Sequence, residues 1–391
     1  MSDTAKKLLA QVFNQVADAL ETGVFGERIR VGITMLGSEL GVAELVRGAE
    51  MAQKANPDIE VVLIGPEWDT DLPRIPAADE KEQHAVMEQA LESGDLAACV
   101  TMHYSFPIGV STVGRVITPG RGREMYLATT TGTSAADRVE AMVKNAIYGI
   151  ATAKAAGIAN PTVGILNVDA ARAVERILRK LNENGYAINF AESARADGGV
   201  VMRGNDLLLG TPDVMVTDTL TGNVLMKVFS AYSSGGDYET LGFGYGPGCG
   251  DGYDKIILIL SRASGAPVAA NALKFGAEVA KGKLKEIVNN EFAAARQAGL
   301  ADLLKKEEKP AAAAEEEVVA PPTKVTEEEI PGIDILELED AQRVVWKAGI
   351  YAATGMGCTG PVIMVAKEDL EKATEVLVKA GFISAPSGAH C

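Results

Sequence analysis

IRVGITML (29–36), GVAELVRGAEMAQKA (41–55) and IEVVLIGP (59–66) follow one another near the start of the chain and read as strand, helix, strand. The outer two are short apolar runs, as in strands covered on both faces, and the middle one has helical periodicity. The alternation recurs as far as Gly265. DLAACVTMH (95–103), TVGILNV (162–168), YAINFAES (186–193), PDVMVTD (212–218) and KIILILS (255–261) read as strands. DRVEAMVKNAIYGIATAKAAG (137–157), AARAVERILRKLNENG (170–185) and the stretch opening at TGNVLMKV (221–228) read as helices. This pattern predicts an α/β fold with a mainly parallel sheet and helices on both faces. In such sheets ligands gather at the carboxyl ends of strands, which singles out the loops after Leu36, His103, Asn167, Asp218 and Leu260.

Composition changes abruptly at KKEEKPAAAAEEEVVAPPTKVTEEEI (305–330), where Ala, Glu, Pro and Lys leave little to pack. Residues 304–330 therefore read as a charged linker between an α/β domain (29–303) and a small C-terminal cysteine module (331–384). The module reads as a helix LEDAQRVVWKAG (338–349), a loop TGMGCTG (354–360), a strand PVIMVA (361–366) and a helix EDLEKATEVLVKAG (368–381). So small a unit is marginally stable alone and is expected to dock on the main domain or a partner. Residues 1–28 read as an amphipathic first helix, and 385–391 as a disordered tail.

The net charge of −16 opposes binding to phosphate backbones, so no nucleic-acid partner is expected. No apolar run approaches the ~20 residues of a membrane span, and no signal peptide is evident, so a cytoplasmic location is expected. Cys99, Cys249, Cys358 and Cys391 show neither metal-type spacing nor a disulfide framework, which fits a reducing compartment. Three scattered histidines give no zinc pattern, and no metal or organic cofactor is expected.

Four stretches carry candidate chemistry. Cys358 stands in Gly355-Met356-Gly357-Cys358-Thr359-Gly360-Pro361, where little side-chain bulk shields the thiol. Successive backbone N–H groups there could favour the thiolate and hold an oxyanion. The plainer reading is a tight turn with a small residue in it. Asp218-Thr219-Leu220-Thr221-Gly222-Asn223 closes one strand and opens a helix, with Thr221 as a possible cap, free N–H groups for an anion and Lys227 a turn or so on. Ser261 and Arg262, in LSRASG (260–265), stand at another strand end before a helix and suit phosphate. In both, an ordinary cap or a solvated surface loop is the bland alternative. On a strand Cys99 and His103 share a face and could pair as nucleophile and base, although a buried Cys is usually inert. Cys249, in GYGPGCGDG (244–252), reads as part of a flexible loop, and His84 as solvated.

These residues carry a resemblance. DTLTGNVLMK (218–227) is similar to the strand-end Asp, Thr-Gly-Asn and Lys motif of the phosphate acyltransferases, and LSRASG resembles the Ser-Arg loop of phosphotransacetylases. On that basis Asp218, Thr221, Gly222, Asn223, Ser261 and Arg262 carry over as substrate-binding residues. The whole chain, with its charged linker and GMGCTGP, resembles the smaller subunits of component C of glycine reductase. That resemblance implies acetyl transfer from a carboxymethyl-selenoether on selenoprotein A to a cysteine thioester, then release by inorganic phosphate as acetyl phosphate. It also implies a larger component C subunit as partner, in a homo- or hetero-oligomer, and a component shared with sarcosine and betaine reductases. Two alternatives stay open: a stand-alone phosphate acyltransferase fed by a carrier-bound acyl group, and a non-catalytic scaffold subunit.

Overall fold

The computed structural model describes residues 28–195, 198–305, 318–334, 337–357 and 360–383, with 12–13, 16–17 and 20 before them. The helix expected over 1–28 and the tail 385–391 thus fall outside the described residues, apart from those five positions and Arg28. Two compact units divide the chain: Met1–Leu166 with Ile188–Ala294, and Asn167–Ala187 with Ala295–Cys391. The expected domain 29–303 therefore gives up its segment 167–187 and its last residues to the second unit.

In chain order the elements begin with β1 (Ile29–Thr34), α1 (Val42–Ala55), β2 (Ile59–Gly65), β3 (Arg74–Pro76), α2 (Glu80–Glu92) and β4 (Ala98–Thr101). Next come β5 (Val110–Ile117), β6 (Glu124–Thr133), α3 (Arg138–Ala155), β7 (Thr162–Leu166), α4 (Ala171–Glu183), β8 (Asn189–Phe190) and β9 (Val201–Met202). Then follow α5 (Gly204–Leu209), β10 (Val214–Val216), α6 (Thr219–Ala231), β11 (Gly246–Cys249), β12 (Ile257–Ile259), α7 (Ala266–Lys281), α8 (Leu284–Gln297) and α9 (Leu300–Leu303). The chain finishes with β13 (Glu328–Pro331), α10 (Leu338–Lys347), β14 (Ala352–Gly357), β15 (Gly360–Val365) and α11 (Leu370–Lys379).

The first unit holds one sheet in the order β3-β2-β1-β4-β12-β11-β5-β6-β10-β7-β8, with β9 also on β7. As the sequence predicts, it is mainly parallel: β3, β2, β1, β4 and β12 run together, as do β6, β10, β7, β8 and β9. The centre differs. β11 is antiparallel to both β12 and β5, and β5 is antiparallel to β6. Three reversals in a row make the two parallel halves point in opposite directions. The carboxyl ends of β1, β4 and β12 therefore lie on one edge of the sheet, and those of β7 and β10 on the other. The expected single row of ligand loops is thereby corrected to two edges.

GPGC (246–249), expected in a flexible loop, is the buried strand β11. Its neighbours on both sides supply backbone partners that composition cannot reveal. YAINFAES contributes only Asn189–Phe190 as strand, since β8 pairs β7 at just two positions. The helices lie close. A Cβ on Gly48 of α1 would come within 2.8 Å of the Ala266 carbonyl of α7, and one on Gly149 of α3 within 2.4 Å of Val214 in β10. Buried Arg115 of β5 lies 3.7 Å above the Phe243 ring and 4.3 Å from Phe275, and pairs with Glu278 at 2.8 Å. Its charge is thus neutralised inside the layer by a carboxylate and two aromatic faces. Among the described residues no helix is long and apolar enough to cross a membrane.

In the second unit β13-β15-β14 form an antiparallel sheet, in that order. Its core combines Ile330, Ile333, Ala341, Val345, Ile363, Val365, Ala373 and Leu377, with Trp346 packed against it. The indole N–H of Trp346 and the amide of Gln342 both donate to the Ala352 carbonyl, at 2.8 and 2.9 Å. Two expectations are corrected. TGMG (354–357) belongs to strand β14 instead of a loop, because each residue pairs across to β15. Glu328–Ile330, expected in the linker, belongs to β13, which completes the sheet on the other side of β15. The module docks within its unit on α4: Arg176 donates to Glu337 at 2.8 Å and to the Phe382 carbonyl at 3.2 Å.

Gly149→Ala should cost about 1–3 kcal/mol, because its new methyl group has no room against Val214 and α3 must shift off β10. A lower melting temperature with unchanged secondary-structure content would show this; an unchanged one would mean that α3 is not seated so closely.

Candidate functional site

Asp218 follows β10 and is the N-cap of α6: its carboxylate accepts from the Thr221 N–H at 3.0 Å and the Thr221 hydroxyl at 2.6 Å. The expected cap, Thr221, is thus the third helical residue and hydrogen-bonds back to the true cap. Arg138 pairs with the same carboxylate at 3.1 Å. Burial alone would raise the Asp218 pKa, but the Thr221 donors and Arg138 outweigh it and hold the group below its ordinary 3.8. Gly222 is dictated by contact: a Cβ there would lie 1.8 Å from the Thr129 carbonyl of β6. Asn223 completes the seam by donating to the Thr130 carbonyl at 3.0 Å.

Eight residues beyond Thr219, Lys227 lies about 12 Å along the helix axis, toward the opposite edge of the sheet. There its ammonium contacts Glu239 at 2.5 Å and donates to the Ser261 hydroxyl at 2.7 Å. Glu239 is fully buried and organises the loop after β12. It accepts from the hydroxyls of Ser264 at 2.7 Å and Tyr245 at 3.3 Å, while its N–H bonds the Ala263 carbonyl at 2.9 Å. The Ser261 N–H donates to Ser264 at 3.1 Å, and Ser261 accepts from the Ala263 N–H at 3.2 Å. Arg262 leaves its side chain exposed while its carbonyl accepts from the Glu39 N–H at 2.8 Å.

The two loops expected to share a phosphate are therefore at opposite ends of α6, and only Lys227 joins Ser261. Both helix N-termini also face carboxylates of the chain itself. Asp218 serves α6, and Glu44 accepts from the Ala266 N–H of α7 at 2.8 Å. An added anion at either end would meet that negative charge. The remaining cationic and hydroxyl groups lie together on the β12 edge: Lys227, Ser261 and Arg262. Two of the three Lys227 donors are engaged, which leaves one for a ligand.

On the same edge β4 ends at Thr101, so His103 stands beyond the strand, exposed, while Cys99 is fully buried. Burial pushes the Cys99 thiol well above its ordinary 9.0. The proposed Cys99–His103 pair is corrected: a thiol sealed in the sheet against Gly32 has no route to an exposed imidazole. His84 is half-buried, not simply solvated, with Nε2 3.3 Å from the Thr101 hydroxyl. Burial lowers its pKa below 6.5, with His103 adding to the shift and Glu80 and Glu88 opposing it. Burial also pushes the Cys249 thiol up to about 12, despite the Thr152 hydroxyl beside it. Cys358 lies outside the described residues, between Gly357 and Gly360, which pair with each other across β14 and β15. Among the described residues no three His, Cys, Asp or Glu side chains gather as a metal site.

Glu239, Glu44 and Tyr245 were invisible in the sequence. Glu239 sits in a Gly- and Ser-rich stretch with no periodicity, where a lone acid reads as solvated.

The chain thus combines a mainly parallel α/β sheet with a Lys227–Ser261 contact at one edge. The family model described as fatty acid synthesis protein matches residues 29–364. The chain is 59% identical over 386 residues to the glycine/sarcosine/betaine reductase complex component C subunit alpha of Peptoclostridium acidaminophilum, covering 98% of this chain and 100% of that one. It therefore belongs to the fatty acid synthesis protein family and to that of the component C alpha subunits. It is also similar to phosphate acyltransferases. Identity is 26% over 245 residues with that of a Geobacillus species and 28% over 241 residues with that of Thermus thermophilus; each match covers 51% of this chain and 70% of the relative. A branched-chain phosphotransacylase structure from Enterococcus faecalis aligns at a TM-score of 0.47 and 15% identity, over 64% of this chain and 99% of that one, too loosely to carry weight.

Two outcomes follow. Asp218→Asn should destabilise the protein at pH 6, and the difference from wild type should shrink toward pH 3. A depressed carboxylate pKa stabilises above 3.8, and that stability is lost as pH falls through the folded value. Urea unfolding across that range checks it. Glu239→Gln should cost about 1–2 kcal/mol by stripping Lys227 of its buried counter-charge, read as a drop in the urea midpoint.

Proposed function

We propose that this chain is the acyl-transferring subunit of a glycine/sarcosine/betaine reductase complex, carrying acetyl as a thioester on Cys358 and releasing it to inorganic phosphate. The observation that carries this reading is the 59% identity to a component C alpha subunit over nearly the full length of both chains. The coarser chemistry, acyl transfer to phosphate, is supported by the independent likeness to phosphate acyltransferases.

In the proposed step an oxygen of hydrogen phosphate attacks the thioester carbonyl. A C–O bond forms, the C–S bond breaks, and the phosphate proton passes to the leaving thiolate of Cys358. Acetyl phosphate and free Cys358 result. Lys227, Ser261 and Arg262 are the proposed phosphate ligands: Arg262 offers two parallel donors, and Lys227 one N–H beyond those bound to Glu239 and Ser261. Arg262 supplies the net attraction, since Lys227 is already neutralised by Glu239. Asp218, Thr221, Gly222 and Asn223 are reassigned from phosphate ligands to the packing of α6 on β6. The proposed acetyl donor is the carboxymethyl-selenoether of selenoprotein A, and the proposed partner a larger component C subunit, in the cytoplasm. Cys99 and Cys249, buried with raised pKa values, are poor competitors for the acyl group.

Peptide mass spectrometry of the purified full chain after incubation with acetyl phosphate tests this. One acetyl group on Cys358, removed by phosphate or hydroxylamine, is the expected result, and Cys358→Ser should lower acetyl phosphate turnover at least about a thousandfold. Acetylation elsewhere, or full turnover after removal of residues 305–391, would replace the proposal with a carrier-fed phosphate acyltransferase. A folded chain that takes up no acetyl group, alone or with its partner subunit, would make it a scaffold.

A further inference from the structure

One parallel half of the first sheet runs β3-β2-β1-β4-β12. From β1 the chain crosses α1 to reach β2 on one side, while β4, on the other side of β1, is reached through α2. The winding therefore reverses between β1 and β4. A crevice outside the carboxyl ends of two such strands is where open α/β sheets take ligands.

A hydrogen-bond relay spans those two strand ends. The Thr34 hydroxyl of β1 donates to the Thr101 hydroxyl of β4 at 2.9 Å, and both are buried. Thr101 Oγ1 in turn lies 3.3 Å from Nε2 of His84 on α2. With the Thr34 proton on Thr101, the Thr101 proton has one acceptor among the described residues, His84 Nε2. The reverse order would leave the Thr34 proton buried without a partner, the less stable arrangement. The imidazole thus carries its own proton on Nδ1. That nitrogen has no partner among the described residues and opens to solvent. Burial keeps the ring neutral at pH 7, with His103 acting in the same direction and Glu80 and Glu88 opposing.

His84 and Lys227 share both an edge and a face of the sheet. α7 covers the opposite face, where a Cβ on Gly276 would meet Ala98 and Val31 at 3.4 and 3.5 Å, and where Phe275 takes Arg115. Thr101, three residues beyond Ala98, points the other way. So does Gly114, next to Arg115, whose added Cβ would meet Met226 of α6 at 3.0 Å. α2 and α6 therefore lie on one face. Lys227 donates to Ser261, which follows Leu260, and the Leu260 N–H bonds the Thr101 carbonyl at 2.8 Å. The loop after β1 closes the same corner through the Glu39 N–H on the Arg262 carbonyl at 2.8 Å. Of the carboxylates acting on His84, Glu88 is engaged by the Tyr104 hydroxyl at 2.7 Å and by Lys255 at 3.9 Å, and Glu80 is exposed.

We infer that His84 is a further ligand of the phosphate assigned to Lys227, Ser261 and Arg262, donating its Nδ1–H to a phosphate oxygen from the β1–β4 crevice. The inference rests on the phosphate reading above and adds a neutral donor to its two cations. A tetrahedral anion keeps free acceptor oxygens after Arg262 and Lys227 are bound. Thr34 and Thr101 are positioning residues: they touch no phosphate and fix the tautomer of the ring that does.

Calorimetric titration of inorganic phosphate into the purified full chain, with nitrogen-15 spectra of its three histidines, tests this. At pH 8 His84 is expected as the neutral Nδ1–H tautomer, and Thr101→Val should release it to a mixture of tautomers. His84→Asn places an amide N–H where Nδ1–H stands and should keep phosphate affinity within about threefold, whereas His84→Gln carries its amide to the Nε2 position and should lower affinity about tenfold. Arg262→Ala, which should also bind more weakly, reports on the phosphate site itself. An Nε2–H tautomer in the wild type, or equal affinities in the Asn and Gln variants, would overturn the role of His84. If Arg262→Ala still binds more weakly in that case, the phosphate reading stands without His84. A folded wild type that binds no phosphate removes that reading and this inference together.

Discussion

Backbone hydrogen bonding does not fix strand direction until a neighbour is chosen, and in this sheet the neighbours of β11 decide everything beyond them. β11 is antiparallel on both sides, and the β5–β6 hairpin adds a third reversal. From that point the parallel half built on β10 and β7 faces away from the half built on β1, β4 and β12. A ligand edge in such a fold belongs to one half only, because the other half presents strand beginnings there. α6 is the exception, since it starts from one edge and runs back toward the other. That is why Lys227 keeps company with Ser261 while Asp218, on the same helix, does not.

Charge follows the same division. At the start of α6 the chain supplies its own anion, Asp218, held ionised by Thr221 and Arg138. Glu44 does so for α7. Both helix ends are thus closed by internal carboxylates, which stabilise the helices and compete with an incoming phosphate. At the far end of α6 the order is inverted: the carboxylate, Glu239, is buried beneath the cation and orients it. Its two oxygens are shared among Lys227, Ser264 and Tyr245, so the lysine is held in one position although its side chain is 47% exposed. A cation fixed in advance loses less conformational freedom when a ligand arrives.

The second unit illustrates a similar economy. Its three-stranded sheet would be thin alone, and the core is completed by α10 and α11 on the strands, with α4 docked through Arg176. α4 comes from the middle of the chain, so this unit is not a simple C-terminal appendage. The charged stretch that reads as a linker ends earlier than its composition suggests, because three glutamate- and isoleucine-bearing residues of it find partners along β15.

Much of this was legible in the sequence. Apolar runs and helical periodicity located β1, β2, β4, β7, β10 and β12 with helices α1, α3, α4 and α6, since burial on two faces leaves a continuous apolar signature. They left the β5–β6 hairpin and the short β3 and β9 unread. The strand-end motifs at Asp218 and at Ser261-Arg262 were visible because turns and caps demand particular residue types. What the tertiary structure alone decided is which of these meet. Nothing in GPGC says that it is a central strand, nothing in a lone Glu239 says that it will be buried under a lysine twelve positions earlier, and nothing in two matching loop motifs says that they face opposite ways. Local sequence encodes propensity and periodicity, which act over a few residues. Strand direction, burial of a single charge and the convergence of loops depend on partners distant in the chain, and only the folded arrangement assigns those.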